Sequence, residues 1–122
     1  MIVLFRIALP LLVAGCASEP APLNAPKVGT GIEIAPFAIL EQCFALAAGD
    51  RVTYHFTARQ PVAFNVHFRD GGATILPVEV PQTREESGDV AADRRHNYCL
   101  AWAAGPQGSV IDYRVQPVRP RQ

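Results

Sequence analysis

The chain has 122 residues, 11 Lys+Arg against 11 Asp+Glu, 49% apolar side chains, 11 prolines, nine glycines and three cysteines. That length allows a single domain, and a formal charge of zero leaves no basic stripe for a nucleic-acid backbone and no acidic tail. Prolines and glycines spread along the chain exclude a helix bundle, because inside a helix each costs about 1 (Gly) to 3 (Pro) kcal/mol.

Residues 1–15 hold twelve apolar side chains and one charge, Arg6. Fifteen residues of helix reach about 22 Å, short of the roughly 30 Å hydrocarbon core, so the segment reads as a cleaved signal and not as a permanent span. It ends in Val13-Ala14-Gly15-Cys16, which resembles the bacterial lipobox. That resemblance implies a diacylglyceryl group on Cys16, cleavage before it, acylation of the new amino terminus and a mature chain of 107 residues. Ala17, in place of the aspartate that resembles an inner-membrane retention signal, favours the outer membrane. A plain secretory signal with a coincidental cysteine is the simpler alternative. Residues 16–30 carry three prolines and no apolar periodicity and are expected to form a flexible tether.

From residue 31 the apolar period is two, the signature of strands. Short runs are expected at 31–39, 42–47, 51–58, 61–68, 73–80, 96–103 and 109–118, and an all-β antiparallel sandwich over residues 31–118 follows from their number and spacing. Val52, Tyr54 and Phe56 share one face, and Val62, Phe64, Val66 and Phe68 share another. If these two runs pair directly, Phe56 faces Phe64 and Tyr54 faces Val66, around a loop Arg59-Gln60-Pro61; if they lie in different sheets, that pairing does not exist. Asp70-Gly71-Gly72 is expected to turn the chain. The polar residues 82–95 read as a mobile loop, and 119–122 as a flexible tail.

With Cys16 assigned to lipid, two cysteines remain in an oxidising compartment, and a Cys43–Cys99 disulfide is expected. The alternative is a pair of free thiols. The bridge would close 57 residues and restrain the unfolded chain by roughly 4 kcal/mol.

The series Glu41-Gln42-Cys43-Phe44-Ala45-Leu46, Ala48-Gly49-Asp50-Arg51-Val52-Thr53-Tyr54-His55-Phe56, Pro61-Val62-Ala63-Phe64-Asn65-Val66-His67-Phe68 and Asn97-Tyr98-Cys99-Leu100-Ala101-Trp102 resembles GOLD (Golgi dynamics) domains over roughly residues 40–115. The resemblance implies a jelly-roll-like β-sandwich, a bond between Cys43 and Cys99, and binding of protein or lipid without catalysis. The chain departs from the eukaryotic cargo receptors of that family in lacking their coiled coil, transmembrane helix and cytosolic tail.

Chemistry-bearing residues are few. On the paired hairpin, His55 and His67 become diagonal neighbours on the polar face, with His96 as a third donor, which would suit a metal ion; solvated imidazoles are the simpler reading. Trp102, alternating with Leu100 and Tyr98, belongs either to the core or to a ligand platform beside Asn65. Ser18, Ser87 and Ser109 lack a nucleophile-elbow pattern, and Asp70, Glu79, Asp89 and Asp112 are scattered singly. Arg94-Arg95-His96 is either a contact to anionic lipid or plain surface charge. The expectation is a non-enzymatic lipoprotein of the cell envelope, facing the periplasm, with no cofactor beyond the lipid on Cys16. Its partners would be the membrane and another envelope protein or a lipid, not nucleic acid. A periplasmic metal binder or sensor is the alternative.

Overall fold

The computed structural model describes residues 20–23 and 25–120; the expected signal segment and Cys16 lie outside them. Seven strands make up the fold: β1 (Pro20–Pro22), β2 (Lys27–Ile34), β3 (Ile39–Leu46), β4 (Arg51–Asp70), β5 (Ala73–Ala91), β6 (His96–Ala104) and β7 (Ser109–Pro120). Every pairing is antiparallel, and the described residues contain no helix.

β4 organises the fold. Its 20 residues would reach about 66 Å if straight, far more than a domain of this size spans. Midway it changes partner: Arg51–Ala58 pairs with β7, whereas Val62–His67 pairs with β6. On its other edge β5 follows throughout, with register shifts at Thr57/Val62, Val62/Phe64 and Val66/Phe68. The long β4–β5 hairpin therefore folds over at residues 58–61. One layer holds β2, β7, the first half of β4 and the second half of β5; the other holds β3, β6 and the remaining halves.

The core lies between these layers. Val52, Tyr54, Phe56, Val62, Phe64, Val66 and Phe68 all point into it and are buried, at roughly 1.5–3 kcal/mol for each large apolar side chain. The Phe56 and Phe64 rings meet at 4.7 Å. Trp102 of β6 stacks on Tyr113 of β7 at 5.2 Å, although those two strands do not pair. The one curled sheet thus closes on itself as a sandwich.

The expected hairpin between 51–58 and 61–68 does not form. Both runs bury their even-numbered residues, and a strand that crosses from one layer to the facing one keeps the same side inward, so the pattern fits a bend as well as a turn. Phe56 and Phe64 touch across the layers and not as cross-strand partners. Pro61 suits the bend because it has no N–H to leave unpaired where the β7 ladder has ended at Ala58 and the β6 ladder has yet to start at Val62.

Three other boundaries differ from expectation. Residues 82–91, expected as a loop, are the second half of β5. Strand pairing begins before residue 31, with β1 and β2 against β7, and Arg119 and Pro120 continue β7. The Asp70-Gly71-Gly72 turn forms as read: Asp70 pairs with Ala73, and Gly71 at φ 62° supplies the left-handed conformation that a two-residue hairpin loop needs.

The sandwich has two distinct ends. The chain enters at one, where Pro20 pairs with Pro120 and the 47–50 turn is bonded to Ala92 (Gly49 N–H to Ala92 C=O, 2.8 Å; Ala92 N–H to Asp50 C=O, 2.8 Å). At the far end lie the β4 bend, the β2–β3 turn and the β6–β7 turn, the two turns joined by Phe37 N–H donating to Gly105 C=O at 3.1 Å.

Candidate functional site

Cys43 and Cys99 are directly opposed on β3 and β6, and their sulfurs are bonded with Cα atoms 4.0 Å apart. Because Phe44 and Leu100 point inward, the disulfide sits half-buried on the outer face. His67 is the next partner of Cys99. Its Nδ1 lies 2.7 Å from Asn65 Oδ1 and its Nε2 3.7 Å from Glu41 Oε1. Glu41, Cys43 and Cys99 form the one metal-ligand-like trio among the described residues, but a joined disulfide has no thiolate to offer a cation.

The structure does not bring the three histidines together. Without the expected hairpin, His55 stands on the outer face of the other layer, opposite Arg114 and Ser87, with Nε2 3.2 Å from Glu85. His96 opens β6 and stacks on Phe68 at 4.8 Å. The cluster Arg94-Arg95-His96 is divided in the same way, since Arg94 pairs with Asp70 at 2.7 Å.

Trp102 belongs to the core. It is 0% exposed, enclosed by Phe56, Phe64 and Tyr113, and its Nε1 has no hydrogen-bond partner, so it offers no platform to a ligand from solvent. Asn65 is half-buried on the outer face beside His67.

Ser109, Asp112 and Asp89 are bonded to the scaffold, whereas Ser87 and Glu79 are exposed. Ser109 Oγ donates to Gln60 C=O at 2.8 Å. Asp112 accepts from Gly31 N–H at 2.6 Å, and Asp89 pairs with Arg51 at 2.9 Å. Asp50, 3% exposed, binds Arg119 at 3.0 Å and accepts Ala47 N–H at 2.9 Å. Arg119 holds the Asp50 carboxyl below its ordinary pKa of 3.8 and outweighs the upward push of burial.

The far end carries two clefts on either side of the β6–β7 turn, both bordered by Gln60, Gln107 and Gly108. One, of about 410 Å³, is walled by Pro61, Ala63, Pro81, Ala103 and Pro106 among others and has no ionisable side chain in its lining. The other, of about 510 Å³, includes Glu33 and Arg59. Beside them Phe37 is 75% exposed and Ile39 63%, and Phe37 holds φ 60°, which a bulky residue adopts only at a price in strain. Sequence reasoning missed this pair. The signal was present: continuing the inward phase of Ile32 and Ile34 places residues 37 and 39 outward, two large apolar side chains on the wrong side of the alternation.

No protein-family model matches the chain, and no curated protein is significantly similar to it.

Proposed function

We propose that this chain is a lipid-anchored module of the bacterial cell envelope that binds another envelope component and catalyses no reaction. The observation that carries the reading is the division of its three cysteines. Cys43 and Cys99 are joined, which fits an oxidising compartment, and the remaining cysteine closes the lipobox-like Val13-Ala14-Gly15-Cys16. Three polar groups are held by the scaffold, Ser109 by Gln60, Asp50 by Arg119 and Asp89 by Arg51, which supports a non-catalytic reading. The two-layered β fold with its disulfide accords with the resemblance to GOLD domains, which bind and do not catalyse.

Strand pairing at Pro20 leaves only residues 17–19 between Cys16 and β1. Such a link reaches about 14 Å, so the entry end of the sandwich stands against the bilayer and the far end points into the periplasm. Several acyl chains at about 0.8 kcal/mol per buried CH₂ hold such a domain stably. The outer membrane is the favoured site.

Fractionation of a bacterium expressing the full chain tests the reading. The protein is expected in the membrane fraction, extractable by detergent and resistant to high salt, with Cys16→Ser moving it out of the lipidated pool. Recovery of the unaltered chain in the soluble periplasm would contradict it.

A further inference from the structure

We propose that the 410 Å³ cleft beside the β6–β7 turn, together with the adjoining exposed Phe37 and Ile39, docks an extended, apolar peptide segment of another protein, flanked by lysine or arginine. This rests on the envelope-module reading and names the surface that such a module uses.

The register builds the site. Ile39 pairs with Ala103, and Ala103 with Ala63. β5 sets two residues, Pro81 and Gln82, against the single Ala63, a bulge of one extra residue. A single row thus crosses all four strands of one layer on its outer side. Ala63, Ala103 and Pro106 line the cleft, and Ile39 and Phe37 adjoin it, Ile39 as the strand partner of Ala103 and Phe37 through its N–H donated to Gly105 C=O. Two large apolar side chains held in water, one on a left-handed backbone, are costly features that an occupant would cover.

Charge selects the occupant. In a chain with 18% charged residues, this lining has none, while Gln60, Gln82 and Gln107 offer carboxamide donors and acceptors to a peptide backbone. The next row, Glu41–Ala101–Asn65–Glu79, places an exposed carboxylate at each flank. Arg59 and Arg84 are exposed at the bend end of the cleft, beside Gln60 and Gln82, so the carboxylates govern the opposite border, where the cationic flanks of a neutral segment are complementary. The chain's own N-terminal link does not reach the cleft: about 14 Å of chain falls short of the roughly 26 Å length of an eight-residue strand.

The test is fluorescence anisotropy with the lipidated chain in phosphatidylcholine nanodiscs, or with the chain in solution if it carries no lipid, so that loss of the anchor and loss of the cleft are read separately. The probes are a labelled nine-residue peptide, Lys-Lys-Val-Pro-Leu-Pro-Val-Lys-Lys, and its version with glutamate for every lysine. The lysine peptide is expected to bind saturably, and the glutamate peptide at least about tenfold more weakly. Phe37→Ser with Ile39→Ser, both at exposed positions, should weaken the lysine peptide about tenfold or more. Glu41→Gln with Glu79→Gln should bring the two peptides within about threefold of each other. Absence of saturable binding up to about 1 mM, indifference to the Phe37 and Ile39 changes, or displacement of the peptide by phosphatidylglycerol vesicles would overturn the proposal.

Discussion

The Ser109 hydroxyl satisfies both backbone groups of Gln60, donating to its C=O at 2.8 Å and accepting its N–H at 3.2 Å. Gln60 lies where β4 has left β7 and not yet joined β6, so strand pairing supplies it no partner there. One buried side chain from β7 thereby replaces two ladder bonds at the bend that folds one layer over the other.

Ser109→Ala removes both bonds and leaves the Gln60 groups to solvent or to nothing. A net hydrogen bond contributes about 0.5–1.5 kcal/mol, so urea unfolding of the variant should show a loss of about 1–3 kcal/mol for the two. A loss below about 0.3 kcal/mol would mean that the bend holds itself.

Disulfide reduction should be the larger perturbation. Cys43 and Cys99 are 56 positions apart, and in the chain-entropy model releasing such a loop costs roughly 4 kcal/mol, a large share of the stability of a small domain. Paired denaturation curves with and without a dithiol reductant measure this directly; overlapping curves would count against the bridge as a main stabiliser.

Gly88 should tolerate no side chain. A Cβ built there meets the Tyr54 hydroxyl and ring carbon Cζ, and Tyr54 is packed against Phe64 with ring centroids 5.0 Å apart. Gly88→Ala is expected to destabilise by about 1–3 kcal/mol, the range for forced overpacking, whereas alanine at the open position Gly105 should have little effect in the same thermal melt.

Acid should weaken the entry end first. Because Arg119 lowers the Asp50 pKa below 3.8, the contribution of this pair is fully present above that value. It is lost as pH falls through the lowered one, where the folded carboxylate takes up its proton. Unfolding midpoints from pH 7 down to about 2.5 should therefore drop in the acid limb. Arg119→Gln should begin less stable and lose less over the same interval. Parallel curves for the two proteins would exclude the pair as a source of acid sensitivity.

Much of the scaffold was legible because burial alternates along it: Val52, Tyr54, Phe56 and Val62, Phe64, Val66, Phe68 all face inward as their spacing requires, and Trp102 alternates into the core between Leu100 and Ala104. The bend escaped notice because parity is blind to whether a chain turns back beside itself or folds over its own layer. The second half of β5 was hidden for another reason. It is an edge strand paired to β4 alone, so its outward side chains, Arg84, Glu85 and Asp89 among them, meet water, and composition alone reads as a loop. Charged residues and prolines are what a free edge needs to avoid stray pairing. The far-end clefts were invisible since their walls come from the bend, β5 and the β6–β7 turn, which sequence spacing does not bring together.

Intact-mass spectrometry of the chain purified from bacterial membranes tests the central claim most directly. The account predicts a polypeptide that begins at Cys16, retains the Cys43–Cys99 bridge and carries the added mass of a diacylglyceryl group, with a further acyl chain on its amino terminus. A mass matching a chain with unmodified Cys16, whether begun at Met1 or cut elsewhere, would contradict it.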